Sequence, residues 1–243
     1  MSALFRMQSL VQEKILEIVP NIYQLTYRAV NVVLIVEDEL TLIDTGFRAN
    51  ANKIIDFIRS LGHSPEELSL IFITHKHFDH AGGLASLKKL TKARVAAHRA
   101  DLIDNDGRPH TQATQKSPLV SPLNTLRSVY SLKTSDVDVP LSGGEVFQTT
   151  GGLQVIHTPG HTPGSISLFS PRHRLLIVGD ALSKFSGVVS LPRRGVTGDL
   201  KQATNSIRKM AELDFNILCL GHGLPLTGDA RAQVQQLTDK IKN

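Results

Sequence analysis

Histidine and aspartate crowd one short segment of the sequence. From Thr74 to Gly83 the chain runs THKHFDHAGG, with three histidines and one aspartate in six consecutive positions. A neutral imidazole nitrogen is the commonest metal ligand in proteins, and carboxylate oxygen completes sites for zinc and harder ions. A solvated turn would need no such mixture of ligand types. We therefore predict that this segment binds metal.

The spacing of the four candidate ligands indicates how they could converge. They follow an apolar run at 70–73 that is typical of a short buried strand. Alternate residues of an extended chain share a side, so His75, His77 and Asp79 would face one region. His80 would reach the same region through the Gly-Gly turn that follows it.

Three further residues of ligand type lie far along the chain, each after a strand-like run and within a turn that contains glycine. They are His161 in TPGHTPG, Asp180 in VGD and His222 in GHG. Strand ends are where side chains from distant parts of a chain meet in one site. The sequence therefore predicts a composite metal site with seven candidate ligands.

Taken in order, the motifs HxHxDH, TPGHTPGS, GD and GHG resemble those of the metallo-beta-lactamase superfamily. The stretch LIDTG at 42–46 is similar to that family's early strand and turn. The resemblance covers 74–223 and includes all seven expected ligand positions. It implies an α/β (α+β) fold, specifically an αββα four-layer sandwich of two mixed β-sheets flanked by helices, with the metals at one edge of the sheets.

The resemblance also implies how the ligands divide between two divalent metal ions. The first ion would be held by His75, His77 and His161, the second by Asp79, His80 and His222, with Asp180 bridging them. Zn²⁺ is the expected metal, with Mn²⁺ or Fe²⁺ as alternatives. Such a pair lowers the pKa of a shared water and presents hydroxide to an electrophilic carbon or phosphorus. Asp79 is the candidate catalytic residue, because a carboxylate beside the leaving group could pass it a proton.

These inferences predict a binuclear metal-dependent hydrolase that acts on a small ester, lactone, thioester or lactam. Two alternatives from the same superfamily stay open. His75, His161 and Asp180 would also suit the single non-haem iron of a persulfide dioxygenase. A phosphodiesterase or nuclease would use a two-metal site as well, although the chain has no tryptophan for base stacking. A non-catalytic scaffold is disfavoured because every ligand position is retained.

Composition and charge narrow the partners and the compartment. The chain has 243 residues, of which 41% are hydrophobic and 20% charged, and this predicts one domain over 1–243. The net charge of +5 comes from basic residues that are scattered along the sequence and not clustered. We therefore expect a small-molecule substrate as the partner and do not expect nucleic acid binding. Arg193 and Arg194 could hold an anionic substrate group. The sequence shows no apolar run of membrane length and no signal peptide, so we expect a cytoplasmic protein with no membrane partner. The single cysteine, Cys219, fits a reducing compartment and lies in an apolar run, so we expect its thiol to be buried.

The hydrophobic pattern of the sequence predicts the strands and helices that must position the ligands. Strand patterns cover 22–27, 30–36, 40–43, 70–73, 94–97, 153–157, 165–169, 175–178 and 215–220. Helical spacing appears at 54–61, 84–90, 200–210 and 230–241, and Asp199 with Gln202 forms a capping pair for the third of these helices.

Two stretches and five histidines remain outside these patterns. Residues 99–142 show little periodicity and predict a lid or insertion, and 183–198 is predicted to be a loop that walls the site. Structural or surface roles are expected for His63, His98, His110, His157 and His173, although His98 and His157 could also contact the ligating imidazoles.

Overall fold

Two β-sheets packed face to face form the centre of the molecule. The structure, a computed structural model, describes residues 13–104 and 132–242. Within them, sheet one has seven strands and sheet two has six, and a separate two-stranded hairpin lies beside them.

Sheet one changes from antiparallel to parallel pairing at its middle. Its strands are β1 (Lys14–Val19), β2 (Ile22–Tyr27), β3 (Val30–Val36), β4 (Leu40–Ile43), β5 (Leu68–Ile73), β6 (Arg94–His98) and β7 (Val139–Leu141). β1 to β4 pair antiparallel, and β4 to β7 pair parallel. The parallel strands require crossover connections, which are made by α1 (Ala51–Ser60) and by α2 (Phe78–Ala81) with α3 (Leu84–Leu90). The carboxyl ends of β4, β5 and β6 therefore lie at one edge.

Sheet two has one parallel pair of strands, and both strands of that pair end at the edge where the candidate ligands lie. Its strands are β8 (Val146–Phe147), β9 (Leu153–His157), β10 (Ile166–Ser170), β11 (Leu175–Ile177), β14 (Ile217–Cys219) and β15 (Leu226–Thr227). β11 and β14 run parallel, so both end at the same edge. Between them in the chain come the hairpin, β12 (Ser183–Phe185) and β13 (Val188–Ser190), and the helix α4 (Leu200–Ala211); α5 (Ala230–Lys242) follows β15.

Three apolar cores separate four layers. Ile54, Ile58, Leu84 and Leu87 of α1 and α3 pack on one face of sheet one. The two sheets meet through a second core that contains Ile35, Phe72, Val155, Leu168 and Cys219. Residues of α4 and α5 pack on the outer face of sheet two, among them Ile207, Met210 and Val234. The predicted αββα sandwich of two mixed sheets is confirmed.

Cys219 lies where its apolar neighbours predict. Its side chain is fully buried between the sheets. Burial raises the pKa of its thiol to about 12, because a thiolate is poorly stabilised in an apolar core. The expected buried thiol is confirmed.

The predicted loop over 183–198 is wrong in its first half. β12 and β13 pair there, with Phe185 opposite Val188 and only two residues between them. Those residues, Ser186 and Gly187, have φ values of 49° and 84°, as a two-residue turn of type I′ requires. The Ser-Gly pair was the available signal. Four other short or polar strands were also missed, namely β1, β7, β8 and β15, because pairing within the sheets decides them rather than any periodic pattern.

The predicted lid over 99–142 is described only at its ends. Short 3₁₀ turns occupy Arg99–Asp101 and Thr134–Asp136, and β7 ends the stretch. Residues 105–131 lie outside the described residues, so the lid stays a prediction. None of the helices within 13–104 and 132–242 has the length and apolar character that crossing a bilayer requires.

Candidate metal centre

Residues that follow four parallel strands meet at one edge of the two sheets. Asp44 follows β4 and His75 follows β5, while Asp180 follows β11 and His222 follows β14. The remaining candidates come from α2 and from the turn between β9 and β10. Side chains that are far apart in the sequence, from Asp44 to His222, therefore lie at the same edge of the two sheets.

His75, His77 and His161 form one group. Nδ1 of His77 and Nε2 of His161 lie 2.9 Å apart, and the His75 ring centroid is 4.8 Å from that of His77 and 4.7 Å from that of His161. One ring nitrogen from each residue lies within 4.8 Å of the others. His75 and His161 are buried, so this is the more enclosed half of the site.

Asp79, His80 and His222 form a second group with the same closeness of ligand atoms. Oδ2 of Asp79 lies 3.9 Å from Nε2 of His80 and 3.6 Å from Nε2 of His222. The His80 side chain has no exposed surface, whereas those of Asp79 and His222 are 22% and 33% exposed. This half of the site therefore faces solvent.

Asp180 lies between the two groups. Its Oδ1 is 3.5 Å from Nε2 of His80, and its Oδ2 is 3.6 Å from Nε2 of His161 and 3.4 Å from Nε2 of His222. It also forms a compact set with His75 and His80, one residue from each group. The structure thus brings together all seven residues that the sequence predicted, with this carboxylate between the two groups.

Four of the five histidines have one ring nitrogen fixed by a partner outside the seven. Nδ1 bonds to the Thr74 hydroxyl in His75 (3.1 Å), Asp44 Oδ2 in His80 (2.7 Å), the Thr197 hydroxyl in His161 (3.4 Å) and the Ala29 carbonyl in His222 (2.7 Å). Metal-ligating imidazoles usually bond in this way through their other nitrogen, which fixes ring orientation and tautomer. In all four residues, Nε2 is left facing the site.

Two of these inward nitrogens have no hydrogen-bond partner. Nε2 of His75 and Nε2 of His80 are both buried and unpaired among the described residues. Leaving a buried polar atom unpaired costs about 1–3 kcal/mol, and such an atom in a native structure calls for an explanation such as an ion. Divalent metal at this position would satisfy both nitrogens, so the donor set fits the group that it is expected to hold.

The electrostatics differ between the two halves. Burial, reinforced by neighbouring imidazoles, lowers the pKa of His75 well below its usual value, and burial lowers the pKa of His161 to about 4. For His80, burial opposes the charged form, but the charges of Asp44 and Asp180 outweigh it and raise the pKa to about 9. Burial also acts against ionisation of Asp180, yet the facing histidines hold its pKa well below the usual range. The more enclosed half thus holds neutral imidazoles, as metal ligation requires.

Asp44 is a residue of the site that the sequence reasoning left without a role. Its Oδ1 accepts a bond from the Thr74 amide at 2.7 Å, and its Oδ2 accepts bonds from the Thr74 hydroxyl and from Nδ1 of His80, both at 2.7 Å. Its φ of 63° is left-handed, a conformation that aspartate tolerates better than most residues. The available signal was a carboxylate directly after a buried strand, in LIDTG.

Asn31 and Gly221 position His222, and sequence reasoning missed both. Nδ2 of Asn31 donates to the carbonyls of Leu220 and Gly223, at 2.8 and 2.7 Å, and so holds the turn on both sides of His222. A Cβ on Gly221 would lie 2.2 Å from Oδ1 of Asp180 and 2.7 Å from Cε1 of His80. Glycine at 221 is therefore a steric requirement of the site.

The structure corrects one expectation, about Asp79, and decides between the two roles left open for His98 and His157. Strand alternation does not bring Asp79 to the site, because the chain turns into α2 at Phe78 and a helical turn presents it instead. His98 and His157 do not contact the ligating imidazoles. They stack on each other with ring centroids 3.9 Å apart, and their nitrogens bond to backbone groups of Ala100, Ser142 and Pro163. His110 lies outside the described residues.

Comparisons with known proteins give consistent results. A family model for the metallo-beta-lactamase superfamily matches residues 25–222. The chain is 31% identical over 219 residues to a probable metallo-hydrolase of Bacillus subtilis, covering 83% of this chain and 82% of that protein. It is 27% identical over 180 residues to an N-acyl homoserine lactonase of a Bacillus species, covering 71% of this chain and 63% of the lactonase. The crystal structure of a metallo-beta-lactamase family protein from Thermus thermophilus superposes with a TM-score of 0.68 at 25% identity, covering 93% of this chain and 81% of that one.

Proposed function

The chain belongs to the metallo-beta-lactamase superfamily as a metal-dependent hydrolase, and we propose that it is a binuclear member that hydrolyses a small ester, lactone, thioester or lactam. The observation that carries the proposal is the pair of buried, unpaired nitrogens, Nε2 of His75 and Nε2 of His80, one in each ligand group. One ion held by His75, His80 and Asp180 would satisfy both nitrogens but leave the other four candidate ligands unused, whereas two ions would use all seven.

The proposed metal ligands follow the two groups. His75, His77 and His161 would hold one ion, Asp79, His80 and His222 the other, and Asp180 both. Divalent ions in such a site polarise the substrate oxygen and make water a stronger nucleophile near neutral pH. Zn²⁺ is the proposed metal because histidine nitrogen and carboxylate oxygen are among its usual ligands.

Asp79 is the proposed proton carrier. It is the more exposed of the two carboxylates, at 22% against 16% for Asp180, and its Oδ2 lies on the solvent-facing half between His80 and His222. A carboxylate there can accept a proton from the attacking water and deliver it to the departing oxygen, sulfur or nitrogen. Asp180 is enclosed by three histidines and has less access to solvent and to a leaving group.

A lactone or simple ester is the proposed first substrate class. The likeness to an N-acyl homoserine lactonase supports it, although that match spans 63% of the lactonase. The chemistry does not separate lactones from esters, since both present the same carbonyl. Substrate specificity among relatives of one fold is set by the segments in which they differ and not by the ligands that they share.

A persulfide dioxygenase has weaker support. It would use His75, His161 and Asp180 around one iron, but these three do not form a compact set in the described part of the chain, where each compact set includes His77, His80 or Asp79. A phosphodiesterase would use the same two ions. It would differ from the proposed enzyme only in its substrate.

Metal content and a substrate panel test the proposal together. Protein purified without added metal is analysed for elements, then stripped with a chelator and reloaded with Zn²⁺, Mn²⁺ or Fe²⁺. Each form is assayed on an N-acyl homoserine lactone, an aryl ester, an acyl thioester, a chromogenic cephalosporin, an aryl phosphodiester, and glutathione persulfide with oxygen uptake.

About two zinc or manganese ions per chain, with hydrolysis of a carbonyl substrate, support the proposal. One iron with oxygen uptake, or turnover of the phosphodiester alone, overturns it. His80→Ala should lower the metal content to about one ion. His173→Ala, the same replacement at a histidine outside the cluster, should leave it at two.

A further inference from the structure

Asp101 is a buried carboxylate that the described metal ligands and the proposed mechanism leave unused. It is 2% exposed and lies in the 3₁₀ turn after β6. Its Oδ2 accepts bonds from the Lys76 amide at 3.0 Å and the Thr162 hydroxyl at 2.6 Å, and its Oδ1 accepts one from the Gly164 amide at 2.8 Å. A buried carboxylate that meets three donors is held in a single geometry.

These three donors belong to the two loops that supply one ligand group. Lys76 lies between His75 and His77, and Thr162 directly follows His161. The Asp101 carboxylate therefore fastens the His75–His77 loop to the His161 loop across 25 and 61 residues of sequence. Among the described residues, its hydrogen bonds do not reach α2, which carries Asp79 and His80, or the turn that carries His222.

We propose that Asp101 is a positioning residue for one metal site alone, the site formed by His75, His77 and His161. It acts by fixing the separation of the two loops, so it sets the affinity of that site for divalent metal without touching the ion. The inference rests on the proposed binuclear function, since it needs metal at both groups.

The packing around Asp101 leaves little room for an alternative arrangement. A Cβ on Gly164 would lie 2.6 to 2.7 Å from the backbone nitrogen, Cβ and Cγ of Asp101, so the loop closes tightly on the carboxylate. The Thr162 hydroxyl lies 2.9 Å from the Ser165 hydroxyl, which in turn accepts a bond from the Thr162 amide at 3.0 Å. The Thr162 hydroxyl is therefore held between the Asp101 carboxylate and the Ser165 hydroxyl.

Replacing Asp101 with asparagine would keep the shape of the side chain but lose one of the two acceptor oxygens that its three donors require. If its amide nitrogen takes the Oδ2 position, it faces the Lys76 N–H, and if it takes the Oδ1 position, it faces the Gly164 N–H. Either orientation sets a donor against a donor in a buried place, which the carboxylate avoids. The two loops must then separate or rotate.

The experiment measures Zn²⁺ affinity by chelator competition in chains with one site left. His80→Ala leaves the three-histidine site, and His161→Ala leaves the other. Adding Asp101→Asn should weaken Zn²⁺ binding by about 10- to 100-fold in the His80→Ala chain, as loss of a supporting contact does elsewhere. In the His161→Ala chain the change should stay within about twofold.

Equal loss in both chains would mean that Asp101 only stabilises the fold, and no loss in the His80→Ala chain would overturn the inference. Thr162→Val, which removes one donor and keeps the carboxylate, provides a second variant should Asp101→Asn fail to fold, and it should shift affinity the same way by a smaller factor. A wild-type chain that binds fewer than two ions would refute the binuclear function itself. If wild type binds two ions and adding Asp101→Asn to the His80→Ala chain leaves its Zn²⁺ affinity unchanged, only the role of Asp101 is refuted.

Discussion

Replacing Asp44 with asparagine is expected to move a proton on His80 rather than change the shape of the site. Oδ2 of Asp44 accepts two bonds, from the Thr74 hydroxyl and from Nδ1 of His80, and Oδ1 accepts one from the Thr74 amide. Asparagine has the same size and tolerates the φ of 63° found here. The perturbation is therefore electronic and not steric.

The asparagine amide can be placed in two ways, and each has a cost. With its oxygen kept on the Thr74 amide, its nitrogen faces Nδ1 of His80. The imidazole must then accept there and carry its proton on Nε2, the buried nitrogen that faces the site. With the amide reversed, its nitrogen opposes the Thr74 N–H. The first arrangement blocks a ligand atom, and the second leaves a buried donor unpaired.

The expected magnitude follows from what is lost. A hydrogen bond to a charged group contributes about 1.5–3 kcal/mol, and loss of a supporting contact to a metal-ligating histidine reduces metal affinity about 10- to 100-fold, which is about 1.4–2.8 kcal/mol. The two estimates agree. The ion proposed at Asp79, His80 and His222 should bind that much more weakly. The other ion should be affected less, because Asp44 reaches His75 only through the Thr74 hydroxyl.

Competition with a chromophoric chelator measures the two Zn²⁺ affinities. Because the pKa of His80 is about 9 without metal, ¹⁵N chemical shifts of the histidine rings in the metal-free protein are recorded above that pH, where the neutral ring reports its tautomer. Asp56→Asn makes the same chemical change on the exposed surface of α1 and should alter neither measurement. If Asp44→Asn leaves both affinities within twofold of wild type, the reasoning from the tautomer is refuted.

The geometry supports three further predictions. Gly221→Ala should abolish binding of at least one ion, because the added Cβ would lie 2.2 Å from Oδ1 of Asp180, whereas Gly195→Ala, with open space around it, should bind metal normally by elemental analysis. Asp79→Asn should lower kcat by about 10²- to 10⁴-fold while metal content falls less than twofold; equal loss of both would make Asp79 only a ligand. Burial and then the neighbouring His157 lower the pKa of His98, so below the unfolded value near 6.5 the unfolded chain binds more protons and stability falls as pH drops. Urea unfolding between pH 8 and pH 5 should show a smaller loss for His98→Gln than for wild type, and parallel losses would contradict this assignment.

Several elements could be predicted from the sequence because their signals are local. The strands at 22–27, 30–36, 40–43 and 153–157 were placed to the residue, since short runs rich in aliphatic, β-branched and aromatic residues, bounded by turn residues, are typical of strands. The cap of α4 was also predicted, and the Asp199 carboxylate accepts a bond from the Gln202 amide at 2.9 Å. Short edge strands such as β7 and β8 have no such pattern and form only because a neighbouring strand is present.

The same division applies to the site. The types of the seven candidate ligands and their order along the chain were fixed by the sequence, because ligand chemistry belongs to individual side chains and each motif is local. The residues that hold those ligands in place were decided by the tertiary structure. Asp44 meets His80 across 36 residues, Asp101 meets Thr162 across 61, and Asn31 meets Leu220 across 189. A single polar residue has no periodic signature, so only the packing of the two sheets shows which amides and carboxylates become neighbours.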